Sequence, residues 1–103
     1  MGKRRTPPLT PNEVVAILKA LGFSFKNQEG FHAQYECPAA RTFPRSVVSV
    51  DMACKDFDDF LMKSMIRQSN RSVAEFYGAT KRSARKANVP FLRVAGSPEA
   101  EIE

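Results

Sequence analysis

The chain has 103 residues, of which 43% are apolar, so the sequence predicts one small domain with a single core and limited burial. The longest apolar run, residues 14 to 18, is far too short for a membrane span, and nothing resembles a signal peptide. We therefore expect a cytoplasmic protein with no membrane partner. One histidine and two separated cysteines do not make a zinc-binding pattern, so we expect neither a metal nor a cofactor.

The net charge of +5 favours an anionic partner. The basic residues are clustered rather than evenly spread. The clusters are Lys3-Arg4-Arg5, Lys63 with Arg67 and Arg71, and Lys81-Arg82 with Arg85-Lys86. Such runs often serve only solubility, but three of them in so small a domain favour contact with nucleic acid.

The first helix is predicted to begin at Thr10, after a flexible basic arm over residues 1 to 8. Thr10 and Glu13 have the spacing of a capping box, and Pro11 occupies the first helical position, where its missing N–H costs nothing. An apolar stripe at helical spacing follows, and Gly22 supplies a left-handed stop.

Three consecutive strands are predicted next, as an antiparallel meander over residues 23–26, 32–37 and 47–50, with a turn at 27–30 and a basic loop at 39–46. The second strand alternates. Phe31, Ala33, Tyr35 and Cys37 fall on one side, and His32, Gln34 and Glu36 on the other. His32 is therefore predicted on the polar face, where an imidazole can exchange a proton near neutral pH. The alternative is an ordinary solvated histidine.

A second helix is predicted from Asp58 or Asp59 to Asn70, with Lys63 and Arg67 pointing outward. A second capping box at Ser72 opens a short third helix through Tyr77. From residue 80 the chain is expected to fray, and residues 96 to 103 to be disordered. The predicted fold class is α+β, an α-β-β-β-α domain over residues 9–79 with both helices on one face of a three-stranded antiparallel sheet and a short additional C-terminal helix.

Other side chains receive structural predictions. Tyr35 is expected in the core rather than stacked on a base, and Phe57 and Phe60 are expected to anchor the segment that enters the second helix. Cys37 and Cys54 are expected to be small buried hydrophobes.

Three stretches of the chain carry a family resemblance. They are residues 9–18 with Leu21-Gly22-Phe23, the strand Gly30-Phe31-His32-Ala33-Gln34-Tyr35 with Pro38, and residues 62–68 followed by Ser72-Val73-Ala74-Glu75-Phe76. In this order, over about residues 9 to 77, they resemble the HicA family of mRNA interferase toxins. That family has a small fold similar to double-stranded RNA-binding domains (dsRBDs), with both helices packed on one face of the sheet.

The chain departs from the family pattern at four places. Phe31 replaces the serine of the family's Gly-Ser-His strand, and we expect its side chain to turn into the core, away from His32. Val50-Asp51-Met52 stands where the family often has Pro-x-His, so a second histidine is absent. The loop over residues 39–46 is longer than the family's compact hairpin, and the basic residues beyond Ala79 extend past its usual end.

The resemblance implies the toxin of a type II toxin–antitoxin pair, acting as a metal-independent endoribonuclease on mRNA with His32 as general acid or base. Lys26, Arg41 and Arg45 are the candidates for stabilising phosphate charge. The remaining predicted RNA-binding residues are Gly30, Gln34, Lys63 and Arg67. The implied partners are RNA and a HicB-like antitoxin protein that covers the His32 face.

Two other functions are compatible with the sequence. One is a catalytically inactive RNA-binding domain of the same fold, which the loss of the family serine and of the second histidine would favour. The other is a small interaction adaptor whose basic ends supply only non-specific nucleic-acid binding.

Overall fold

The computed structural model describes residues 6–39 and 44–92. Within them the elements are α1 (Pro11–Ala20), β1 (Ser24–Glu29), β2 (His32–Cys37), β3 (Ser46–Asp51), α2 (Asp59–Ser69), α3 (Val73–Tyr77) and α4 (Lys81–Ala87). The strands form one antiparallel sheet in the order β1-β2-β3. The predicted α+β class and three-stranded meander are therefore confirmed.

The helix boundaries follow short-range hydrogen bonds that the sequence encodes. The Thr10 hydroxyl accepts from the Glu13 backbone N–H at 3.2 Å, and the Glu13 carboxylate accepts from the Thr10 N–H at 2.9 Å. Ser72 and Glu75 repeat this capping box at the start of α3. Asp58 caps α2. Because each bond joins residues three positions apart, local sequence is sufficient to predict it.

The hairpin between β1 and β2 is tighter than predicted. Residues 27–29 do not form a turn but continue β1, and Glu29 pairs with His32 across a two-residue turn of Gly30 and Phe31. Gly30 has φ +60°, as the first position of a type II′ hairpin requires. An irregularity in the pairing between Phe25 and Asn27 leaves Lys26 as a bulge residue.

One face of the sheet packs against the helices. Its buried residues Ala33, Tyr35, Val48 and Val50 belong to the same core cluster as residues from α1, α2 and α3. The predictions that Tyr35 and Phe57 are core residues are confirmed.

Several side chains lie nearer the surface than expected. Phe60 is 77% exposed, so the prediction that it anchors the entry to α2 is wrong. Phe31 is 67% exposed, because it sits in the hairpin turn rather than within β2, and so it does not fill the core. Cys37 and Cys54 are free thiols that are only half-buried.

The chain beyond Ala79 does not fray where predicted. Thr80 caps α4 by accepting from the Ser83 N–H, and Ser83 and Ala84 are buried. The side of α4 that packs on the domain consists of small residues, so this helix has no stripe of large apolar residues by which it could be predicted. The prediction of a flexible arm over residues 1–8 is wrong at Thr6 and Pro7, because Thr6 is buried and the Tyr77 hydroxyl donates to the Pro7 carbonyl at 2.7 Å.

Among residues 6–39 and 44–92, no helix is long and apolar enough to cross a membrane. The expected disorder of residues 96–103 and the basic cluster at residues 3–5 lie outside the described residues.

Candidate functional site

His32 is the first residue of β2 and its side chain is exposed. Ala33 and Tyr35 face the core, so the strand's alternation places His32 and Gln34 on the opposite, outer face of the sheet. This confirms the predicted orientation of His32. Because the helices pack on the other face, the imidazole is open to a large ligand.

The strand register places a carboxylate on each side of His32. Glu29 of β1 and Asp51 of β3 are its two directly paired residues. Directly paired residues of an antiparallel sheet have Cβ atoms about 4.5–5.5 Å apart and share a face. His32 therefore lies in the centre of a Glu29–His32–Asp51 row. Among the described residues, neither carboxylate is hydrogen-bonded to the imidazole.

Asp51 is held in place by the loop that follows β3. Its Oδ1 accepts from the Ala53 N–H at 3.0 Å, and its backbone carbonyl accepts from the Cys54 N–H at 3.3 Å. The Met52 N–H donates to the Phe31 carbonyl at 2.7 Å, which joins this loop to the hairpin turn. The loop after Asp51 and the hairpin turn after Glu29 are thus hydrogen-bonded to each other.

The next row of the outer face is polar and uncharged. Asn27, Gln34 and Ser49 are paired across the three strands, which places the predicted RNA-binding residue Gln34 beside the His32 row. The Ser49 N–H donates to the side-chain oxygen of Gln68 in α2 at 3.3 Å. Amide and hydroxyl groups of this kind can bind ribose hydroxyls or base edges.

Two of the described cations predicted to bind RNA, Arg45 and Lys63, are each paired with an acid rather than with the His32 row. Arg45 forms an ion pair with Glu36, and Glu36 lies roughly 13 Å along β2 from His32 at about 3.3 Å per residue. Lys63 pairs with Asp59 at 3.2 Å within α2.

The other predicted RNA-binding residues are dispersed. Lys26 is exposed at the β1 bulge, and Arg67 is exposed on α2. Gly30 occupies the hairpin turn next to His32, and a Cβ there would meet no atom within 4 Å, so the backbone conformation alone favours glycine. Arg41 lies outside the described residues.

Sequence reasoning missed Glu29 and Asp51. Glu29 could have been found by treating Gly30-Phe31 as a two-residue turn, because the residues that flank such a turn pair directly. Asp51 depends on the β2–β3 register across a long loop, for which the sequence has no local signal. Among the described residues, no group of three His, Cys, Asp or Glu side chains is arranged to hold a metal ion.

Comparison with known proteins adds no family assignment, because no family model, curated protein or solved structure matches this chain.

Proposed function

We propose that this chain is an endoribonuclease of the HicA kind, built on a dsRBD-like domain, in which His32 moves the protons of RNA cleavage. The observation that carries the proposal is the position of His32, exposed on the open sheet face between Glu29 and Asp51. The three stretches that resemble the family add independent support.

The reaction requires little more than a positioned acid–base group, because RNA carries its own nucleophile. His32 accepts the proton of the 2′-hydroxyl, and that oxygen forms a bond to the adjacent phosphorus. The bond from phosphorus to the 5′ oxygen breaks, and the leaving oxygen takes a proton from solvent. The products are a 2′,3′-cyclic phosphate and a 5′-hydroxyl. One positioned acid–base group contributes roughly 10²–10⁴-fold to such a step.

The flanking carboxylates suit an orienting role. A carboxylate that accepts a hydrogen bond from one imidazole nitrogen fixes the tautomer and directs the other nitrogen at the substrate. Asp51 is the better placed of the two for this role, since the Ala53 N–H already fixes its Oδ1. In the proposal, Arg45 leaves its ion pair with Glu36 and binds an RNA phosphate instead.

The proposed protein partner is a HicB-like antitoxin that covers the His32 face in the cytoplasm. Phe31 supports this partner, because a large exposed aromatic side chain at the hairpin tip is available to be buried in an interface. Phe31 immediately precedes His32, so a protein bound there would also block access to the imidazole.

A specific observation favours a second function, a catalytically inactive RNA-binding domain. The residues paired with His32 are carboxylates, and the described cations Arg45 and Lys63 are each paired with an acid. A phosphorane intermediate needs positive charge nearby. A domain that only binds RNA does not need that charge beside its histidine.

The two functions are separated by incubating the purified protein with a labelled RNA in EDTA. The nuclease proposal predicts cleavage that leaves a 2′,3′-cyclic phosphate and that stops when the nucleotide 5′ to the cut is 2′-deoxy. The matched control is His32→Gln. Binding of the RNA without cleavage by the wild-type chain would favour the inactive domain.

A further inference from the structure

A second charged surface lies on α4, a helix that does not belong to the sheet carrying His32. Its members are Lys81, Arg82, Arg85 and Lys86, and we call them the cationic face of α4. At about 100° per residue, the four fall within an arc of about 140°. The helix is therefore basic on one side only.

The other side of α4 is fixed to the domain. Ser83 and Ala84 are buried, and the Ser83 hydroxyl donates to the Tyr77 carbonyl at 2.6 Å. Thr80 begins the helix as its N-cap, and Asn88 ends it in the left-handed conformation. Because this side is packed against the domain, the cationic face points outward in a fixed direction.

A cleft of about 320 Å³ separates α4 from the first turn of α1. It is lined by Thr10, Asn12, Glu13, Ala16, Thr80, Arg82 and Ser83. Lys86 bridges the two helices by contacting both carboxylate oxygens of Glu13, at 2.9 and 3.0 Å. Lys86 therefore positions α4. Arg82 lines this cleft, and Arg85 lines an adjoining one that shares Glu13 and Arg82; both arginines are exposed.

The cationic face and His32 belong to different sides of the molecule. Helix α4 packs on α3, whose Phe76 and Tyr77 share the core with the inner face of the sheet. His32 lies on the outer face. The resemblance described above ends near residue 77, so it assigns no role to α4.

We propose that the cationic face of α4 binds the phosphate backbone of a nucleic-acid strand. Arg82 and Arg85 are about 5–6 Å apart at Cβ, as expected for residues three apart on a helix. Each guanidinium can hold a phosphate through two parallel hydrogen bonds, and the polar rim of the cleft lies beside them. This inference goes beyond the proposed reaction and holds whether or not His32 cleaves RNA.

The test is binding of a fluorescein-labelled single-stranded 2′-O-methyl RNA, which has the phosphates but no 2′-hydroxyl to react. The full-length wild-type chain is compared with Arg82→Gln/Arg85→Gln and with the matched control Lys19→Gln/Lys55→Gln. Both pairs are exposed and both variants lose two positive charges. Circular dichroism confirms that each variant is folded, and truncation is avoided because α4 is packed.

We expect the arginine pair to weaken binding about ten-fold and to lower the slope of log K against log[salt] by roughly 1.4, at about 0.7 per phosphate contact. The lysine pair should change the affinity less than about two-fold, because neither lysine belongs to the cationic face of α4. Equal losses in the two variants would overturn the proposal. Binding of wild-type protein to anionic vesicles but not to the oligonucleotide would overturn it as well. Because the 2′-O-methyl RNA cannot be cleaved, this binding assay does not depend on the proposed reaction. The reaction is tested separately, by the loss of cleavage of ordinary RNA in His32→Gln.

Discussion

Asp51 lies directly across the sheet from His32, and the Ala53 N–H holds its carboxylate by a 3.0 Å hydrogen bond to Oδ1. Among the described residues no hydrogen bond joins Asp51 to the imidazole, so the orienting role proposed for Asp51 needs a contact that forms when RNA binds. The residues paired with His32 are carboxylates, whereas the cations Arg45 and Lys63 lie elsewhere and are each paired with an acid. This difference decides which changes are most informative.

Asp51→Asn tests the orienting role. The amide oxygen of asparagine can still accept from the Ala53 N–H, so the loop should be preserved while the negative charge is lost. We expect the rate of RNA cleavage to fall at least about ten-fold, because an amide nitrogen replaces the free carboxylate oxygen that would accept from the imidazole N–H and orient the ring. Single-turnover cleavage measures this. Asp56→Asn is the control, because it makes the same substitution at an exposed carboxylate that, among the described residues, makes no side-chain hydrogen bond. Unchanged cleavage by Asp51→Asn would rule out the orienting role.

Tyr77→Phe tests whether the hydrogen bond from Tyr77 to the segment before α1 stabilises the fold. The change removes the hydroxyl that donates to the Pro7 carbonyl at 2.7 Å and leaves the buried ring. We expect the free energy of unfolding in urea to fall by about 1 kcal/mol. Tyr35→Phe is the matched control, because among the described residues its hydroxyl makes no hydrogen bond, and it should cost less than about 0.5 kcal/mol. Equal effects of the two changes would show that Pro7 is not held in this way.

Glu13→Gln tests the bridge between α1 and α4 through its pH dependence. Burial opposes ionisation, but hydrogen bonds from Thr10 and Lys86 and the Lys86 charge together lower the pKa of Glu13 below its ordinary value near 4.5. A lowered folded-state pKa adds stability above that ordinary value, and this stability is lost as pH falls through the folded-state pKa.

Glutamine keeps the capping box and removes only the charge. Glu13→Gln should therefore be less stable than wild type at pH 7, by about 0.5–1 kcal/mol, since Lys86 is partly exposed. The gap should close in acid. Urea denaturation at several pH values measures this difference in the free energy of unfolding. A difference that does not change with pH would contradict a stabilising ion pair between Glu13 and Lys86.

Local sequence was sufficient for much of the fold. The capping boxes at Thr10 and Ser72 and the left-handed Asn70 were predicted because each depends on hydrogen bonds or backbone conformation within a few residues. The outward direction of His32 was predicted because strand alternation needs only the neighbouring side chains.

Features that depend on tertiary pairing were missed. Residues 27–29, the second half of β1, were predicted as a turn because asparagine and glutamate are depleted in strands, and only their pairing with β2 defines them as a strand. Helix α4 packs through Ser83 and Ala84, whose small size gives no apolar stripe. The carboxylate Asp51 comes to His32 only through a register set across the loop between β2 and β3. The candidate histidine was therefore predictable, but its partner Asp51 was not.

The most direct test of the central proposal is induced expression of the wild-type chain, of His32→Ala and of the exposed control Lys19→Ala, with growth and total mRNA integrity followed together. His32 is exposed, so its removal should leave the amount of folded protein unchanged. The proposal predicts growth arrest and mRNA decay with the wild-type and Lys19→Ala chains, and normal growth with intact mRNA for His32→Ala. Equal growth and intact mRNA in all three, at matched protein levels, would contradict the nuclease function.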